Sequence, residues 1–378
     1  MIKFQTGKIA KAASFLGRED IVKEVETYLS MGQSVVLIAP RRFGKSSIIN
    51  KILEDNKNRY KILSIDLMGI YSKRDFAEHI INNIYASIGI YGIIAKLKDI
   101  SIEFFKDITN HLTSLKLSIE DISIETTGKF LKQTDEDKLL SYALELPEQI
   151  AVKLKHKYLF VIDELGEIDK FQSKNELLEK MRTIFQNQEN IVFLFAGSQY
   201  ALMTKIFTHK SSAFYKFAVP IDVPTMKASD FQELFKSVFY SNNISIPKDF
   251  AKDIEKISQG IPYYMVRIAQ QVLIDAKLKD QINTYCYSIR AASLKVYTKE
   301  VSYFASELSK LRGRKYDFTI LKALSQNINH TKALAELGVS RQNANTIINS
   351  LISIGLVQKR ERYRIIDPFM QRYIKKLV

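Results

Sequence analysis

Apolar residues fall along this chain in short unbroken runs, separated by stretches with a three-to-four-residue rhythm. Strands buried on both faces, alternating with amphipathic helices, produce that mixture. Five runs read as strands: residues 34–38 (SVVLI), 60–67 (YKILSIDL), 157–164 (KYLFVIDE), 191–198 (IVFLFAGS) and 217–223 (FAVPIDV). Helical periodicity occupies the intervals, beginning with residues 21–29, so the expected core is a βαβ array around a mostly parallel sheet. From Lys227 the rhythm turns mainly helical, with a short helix after Pro247, a break at Gly260-Ile261-Pro262, a long helix through Ile274 and a helical connector over 280–313. Residues 91–134 follow neither rhythm clearly; 116–125 alternate like a small strand or hairpin and are expected to form a surface insertion.

The last unit has its own pattern. Residues 316–325 and 331–337 predict two short amphipathic helices, Gly338-Val339-Ser340 a tight turn with Ser340 as N-cap, and 341–353 a third helix. Residues 356–360 and 362–366 then read as two strands around Glu361, and the whole resembles a winged helix-turn-helix domain. Ile347, Ile348 and Leu351 would face inward. That leaves Arg341, Gln342, Asn345 and Asn349 on a polar face suited to base edges and phosphates, with Lys359, Arg360, Arg362 and Arg364 making the wing basic. The alternative reading is a winged helix used only for intramolecular packing.

Two segments carry chemistry. The first strand runs into A-P-R-R-F-G-K-S-S, residues 39–47, and then into an apolar-periodic helix start. A nucleotide triphosphate needs backbone N–H groups converging on its phosphates, a cation at the β/γ oxygens and a hydroxyl on Mg²⁺, and this order supplies all three. Pro40, Arg41, Arg42, Phe43, Gly44, Lys45, Ser46 and Ser47 are the expected nucleotide-binding residues, with Lys45 the phosphate cation and Ser46 a metal ligand. The consensus G-x-x-x-x-G-K-[ST] is met except at its first position, where Ala39 requires a backbone that does not need φ > 0. The second segment, K-Y-L-F-V-I-D-E, ends a buried strand in Asp163 and Glu164. Asp163 is expected on Mg²⁺ opposite Ser46, and Glu164 at the water that attacks the γ-phosphate.

Composition narrows the setting. A chain of 378 residues suggests two or three domains, and its one cysteine, Cys286, excludes an intramolecular disulfide and is expected to pack. No run is long enough to span a bilayer and the first residues lack a hydrophobic signal core, so no membrane partner and a cytoplasmic location are expected. The net charge of +15 favours an anionic partner beyond ATP. Residues 305–378 hold 14 basic and 5 acidic residues, a net of +9, which places much of that excess in the last unit and favours double-stranded DNA bound through phosphates.

The ordered set G-R-E-D (17–20), A-P-R-R-F-G-K-S-S, V-I-D-E (161–164), A-G-S-Q (196–199) and G-I-P-Y-Y-M (260–265) resembles the archaeal-type ATPase family of the AAA+/STAND class. The resemblance covers residues 12–275, with further similarity at the C-terminus, and implies an α/β P-loop (ASCE/AAA+-like) parallel-sheet domain over 1–225 with a helical lid and connector over 226–312; the pattern of the last unit adds the winged-helix domain over 313–378. It places Gly17, Arg18 and Glu19 on the adenine side, Ser198 or Gln199 as the sensor of the γ-phosphate, and Gly260 and Pro262 in the lid. Three departures stand out: Ala39, Gly166 where relatives often carry glutamine, and Lys216 where they usually show an arginine. The last implies slow or partner-stimulated hydrolysis, because lysine lacks the planar fork that grips phosphate. Many relatives continue into a nuclease-like region after Y-x-I-x-D-P-F; this sequence has Y-R-I-I-D-P-F at 363–369 and ends at Val378, so no nuclease is expected. The function expected is an ATP- and Mg²⁺-dependent switch acting through the winged helix on DNA or a partner. The alternatives are a weakly hydrolysing regulator that recruits protein partners and an origin-recognition-like DNA loader.

Overall fold

The computed structural model describes residue 4 and residues 15–88, 135–278 and 289–377, apart from 312, 315 and 360. The expected insertion at 91–134, Cys286 and Arg360 lie outside the described residues.

Helix α1 (Glu19–Ser30) leads into β1 (Val35–Ile38), α2 (Lys45–Asn56), β2 (Lys61–Asp66) and α3 (Lys73–Ile88). After the undescribed stretch come α4 (Glu136–Leu154), β3 (Tyr158–Asp163), a 3₁₀ turn (Leu165–Lys170), α5 (Lys174–Phe185), β4 (Ile191–Gly197), α6 (Tyr200–Thr208) and β5 (Val219–Asp222). All five strands are parallel, in the order β2-β3-β4-β1-β5. β4 therefore stands between the strand that feeds the glycine-lysine loop and the strand that ends in Asp163, so residues after β4 reach both. The period of two along each strand divides the core. Val35 and Leu37 of β1 join Leu159 and Val161 of β3 on one face, while Val36 and Ile38 join Phe160 and Ile162 on the other.

The remaining elements are α7 (Ala228–Tyr240), α8 (Phe250–Ser258), α9 (Pro262–Leu278), α10 (Ile289–Ser309), α11 (Asp317–Ser325), α12 (His330–Ala335), α13 (Arg341–Ser353), the antiparallel pair β6 (Val357–Lys359) and β7 (Tyr363–Ile365), and α14 (Pro368–Lys376). Ser340 caps α13 through the Asn343 amide at 3.2 Å, as its N-cap chemistry predicts. The first core face runs without a break from β1 and α1 through Phe231, Met265 and Val296 to Leu351 and Phe369. The C-terminal elements are thus packed onto the sheet side of the molecule through a shared apolar core.

Gly260 fixes where α9 begins. Its φ of +72° lies in the left-handed region, and a Cβ there would stand 2.3 Å from the Met226 carbonyl oxygen. Backbone is the obstacle, so no side chain can swing aside. Gly260→Ala is expected to destabilise the protein by about 2–4 kcal/mol, adding left-handed strain to a steric clash. Gly32→Ala, with φ +75° and nothing within 4 Å, should cost only about 1 kcal/mol. Denaturant midpoints of the two variants provide the comparison, and equal shifts would disprove the steric part.

Candidate nucleotide site

The loop after β1 forms between a buried strand and a buried helix turn. Ala39 is fully buried and is not among the residues with positive φ, so the methyl fits where the consensus has glycine. Positive φ falls instead at Arg42 (+78°) and Gly44 (+88°), on either side of Phe43. Alternation of this kind turns successive N–H groups to one side, the geometry of an anion-binding nest. Gly44 caps α2, whose first residue is Lys45, and Ser46 is exposed on the first turn. Pro40 is half-buried, Arg41 is exposed and Ser47 half-buried, while Phe43 is buried beneath the loop.

Lys45 is almost wholly buried, and its ammonium stands 2.9 Å from both Asp163 Oδ1 and Glu164 Oε1. Asp163 Oδ1 also accepts the Glu164 amide at 2.8 Å. Glu164 itself has φ +50°, a left-handed turn that separates its side chain from the strand direction. Its second oxygen, Oε2, accepts from the Ser198 amide at 3.0 Å and from the Ser198 hydroxyl at 2.8 Å. Burial would push the Glu164 carboxyl up, but the Lys45 ammonium and the two Ser198 donors outweigh it and hold the group below its ordinary value. Asp66, at the end of β2 and in register with Asp163, is shifted the other way by burial and by the two neighbouring carboxylates.

Four residues picked from three separate sequence segments, Lys45, Asp163, Glu164 and Ser198, therefore form one hydrogen-bonded cluster at the carboxyl edge of the sheet. Ser198 rather than Gln199 touches Glu164. Gln199 lies against Gly166, where an added Cβ would come within 3.2 Å of its side chain, so the missing side chain at 166 is what makes room for it. Lys216 is exposed in a left-handed turn with its ammonium 5.4 Å from the Tyr215 ring centre.

Arg18 and Pro262 frame the loop from the other side. The Arg18 guanidinium is buried, donates to the Phe43 carbonyl at 3.4 Å and to the Pro224 carbonyl, and ties the loop to the segment entering α7. Burial lowers it to about 10 against the pull of Asp230. Gly17 beside it has φ +64° and no room for a Cβ against Asp230 and Met226. Pro262 is the first residue of α9, and the next amide, Tyr263 N–H, donates to the Arg42 carbonyl at 3.4 Å, so the amino end of α9 abuts the loop.

The oxygens of Ser46 and Asp163 are hard donors of the type Mg²⁺ takes. Among the described residues no group of three or more His, Cys, Asp or Glu side chains could hold a metal alone. That donor set fits Mg²⁺, which is commonly held by one or two protein oxygens together with substrate phosphates and water.

At the C-terminal unit Arg341, Gln342, Asn345, Lys359 and Arg362 are all exposed. Asn345 is also held from beneath: its Oδ1 lies 3.1 Å from Nε2 of the buried His330, whose ring meets Tyr363 edge-on at 4.8 Å. That support was not visible in the sequence, where His330 has no distinguishing neighbour.

No family model matches the chain, and no curated protein does. Solved structures do. A Walker-type ATPase of Pyrococcus abyssi is 17% identical over 98% of this chain and 99% of its own, with a TM-score of 0.71. The ORC2 protein of Aeropyrum pernix, solved in ADPNP–ADP complexes, is 12% identical over 95% of this chain and 92% of its own, with a TM-score of 0.58. The chain has the fold of these archaeal ATPases, a P-loop α/β core with helical additions.

Proposed function

We propose that this protein is an ATP-binding and ATP-hydrolysing switch of the archaeal-type ATPase family, in which nucleotide state governs how a winged-helix unit meets DNA or a partner. The observation that carries the reading is the Lys45–Asp163–Glu164–Ser198 cluster beside an anion-binding loop. The fold shared with the Walker-type ATPase supports it. In this reading residues 1–225 form the ATPase core, 226–312 the lid and connector, and 313–378 the winged helix. No helix among the described residues is long and apolar enough to cross a membrane, which suits an enzyme working in the cytoplasm.

The roles follow from charge and geometry. The loop amides and Lys45 hold the β- and γ-phosphates, and Ser46 with Asp163 would hold Mg²⁺, which neutralises phosphate charge. Glu164 stays ionised at neutral pH, so it can orient and polarise the attacking water. Ser198 holds Glu164 in place and is the group that feels the γ-phosphate leave. Arg18 and Pro262 close the base side by joining the loop to the lid. Turnover of ATP by the purified protein, measured with and without duplex DNA at low and moderate salt, tests the reading. Stimulation by DNA that fades with salt is the expected result; tight ATP binding without turnover in either condition would move the protein to the non-hydrolysing regulators.

The exposed basic residues of α13 and the wing support duplex DNA as the anionic partner. The double variant Arg341→Ala, Arg362→Ala should leave ATP affinity within twofold while lowering the slope of log K against log salt by about 1–2, since each lost phosphate contact contributes about 0.9. An unchanged slope in a fluorescence-anisotropy titration would remove DNA from the proposal.

A further inference from the structure

The side chain of Arg42 is committed elsewhere than its loop suggests. Its guanidinium donates to Glu300 Oε2 of α10 at 2.6 Å, to Asp367 Oδ2 at the head of α14 at 2.8 Å, and to the Tyr264 hydroxyl. Tyr264 also donates to Asp367 Oδ2 at 2.6 Å, and Tyr263 to Glu300 Oε1 at 2.7 Å, so both carboxylates are anchored by the start of α9 as well. The other oxygen of Asp367 caps α14 through the Phe369 and Met370 amides. The guanidinium plane is roofed by aromatic rings, with the Tyr303 centre 4.4 Å away and that of Tyr263 at 5.0 Å. Side-chain exposures of 16% for Arg42, 9% for Glu300 and 17% for Asp367 place these charges largely out of water, where a lost partner is felt most.

The same C-terminal unit reaches the opposite side of the site. Helix α13 packs on α6, the helix that follows Ser198. At the turn leaving α13, a Cβ on Gly355 would stand 3.9 Å from the Ser198 carbonyl oxygen. One unit thus touches both the phosphate loop and the γ-phosphate sensor.

We propose that Arg42 is a latch: Glu300 and Asp367 hold this loop arginine, nucleotide phosphate competes with them for it, and nucleotide binding therefore loosens the C-terminal unit from the ATPase core. The chemistry is that of one guanidinium with two claimants. Its planar fork suits carboxylate and phosphate equally well, and its Cα sits three residues from Lys45 in the anion-binding loop. By linkage, the factor by which the closed latch weakens nucleotide binding is the factor by which bound nucleotide weakens the latch. The competition rests on the nucleotide reading of the site; the latch itself does not.

The test uses the full chain, and its first variant leaves Arg42 in place. Glu300→Gln with Asp367→Asn keeps shape, and Asn caps a helix as Asp does, but removes both charges. Without nucleotide, hydrogen exchange over residues 200–208 and 351–356 should quicken at least about fivefold, and affinity for a fluorescent ATP analogue should rise by about 5- to 150-fold, the usual span of coupling between sites. Arg42→Lys, which keeps charge but not the fork, should also quicken exchange in those segments. Unchanged exchange in both variants overturns the latch. Quickened exchange with lowered nucleotide affinity overturns the competition and makes the contact a brace for the loop instead. Failure of the unaltered protein to bind the analogue would overturn the nucleotide reading and the competition with it, while the exchange result still decides whether the latch exists.

Discussion

Lys45→Ala is expected to lower nucleotide affinity by about 100-fold or more and to change how the protein's stability responds to acid. The first effect follows from losing the buried cation at the phosphate oxygens, where each charge-assisted bond contributes about 1.5–3 kcal/mol. The second follows from what Lys45 does for its neighbours. It stands 2.9 Å from a carboxylate oxygen of both Asp163 and Glu164, with side-chain exposures of 17% and 12% for the two acids. Without it the ammonium that opposes burial at Glu164 is gone, and the carboxyl is expected to move up from its lowered value. In the unaltered protein a lowered Glu164 stabilises the fold above the unfolded pKa, near the ordinary value of 4.5, and that contribution is lost as pH falls through the lower folded value. In Lys45→Ala that contribution is expected to shrink, so less stability is lost on acidification. The gap in melting temperature between the two proteins should therefore be widest near pH 7 and shrink toward pH 4. A gap that stays constant across that range would show that Lys45 does not set the charge state of Glu164.

The cluster was legible because its parts have local signatures. A glycine-lysine-serine turn after one apolar run and an acidic pair after another can each be read within a ten-residue window. Ser198, by contrast, has no local signature and entered through the resemblance; the parallel register of β3 with β4 is what brings the end of β4 beside the Asp163 strand. Arg42 lay in the right loop, and its backbone forms the nest expected there. Its side-chain partners were not legible. Glu300 and Asp367 lie 258 and 325 positions away, and nothing in a run of helical residues distinguishes an acid that faces a distant arginine from one that faces water. Asp367 did carry a cue, since an Asp before Pro-Phe marks a helix cap, but capping uses only Oδ1 and says nothing of Oδ2. The order of the sheet was likewise outside the reach of periodicity, which shows that a strand is buried and not which strand lies beside it.

Glu164→Gln separates binding from chemistry. The amide keeps the length of the side chain, and its oxygen can still accept from Lys45 Nζ, now 2.9 Å from Glu164 Oε1. What it loses is the charge that draws a proton from water, together with one of the two acceptors. If the amide nitrogen takes the place of Oε2, it faces the Ser198 amide, a donor against a donor, so the side chain must turn or Ser198 must shift. Hydrolysis should fall by about 10²–10⁴-fold, the range general-base catalysis supplies. Nucleotide affinity should stay within about threefold, because Lys45 and the loop amides remain. Single-turnover hydrolysis alongside equilibrium binding of a fluorescent analogue distinguishes the steps, since steady-state rates alone would mix chemistry with release. A variant that hydrolyses ATP at the ordinary rate would show that Glu164 is not the base, and attention would then move to Asp66, the remaining carboxylate at the carboxyl edge beside Asp163. On basicity alone Asp66, with its pKa raised, would be the stronger base of the two; what favours Glu164 is its position, held between the Lys45 ammonium and Ser198. Loss of turnover with binding intact would place the chemical step at Glu164 and leave Ser198 as its positioning residue, so that Ser198→Ala, which removes one of the two bonds to Oε2, should lower the rate by less.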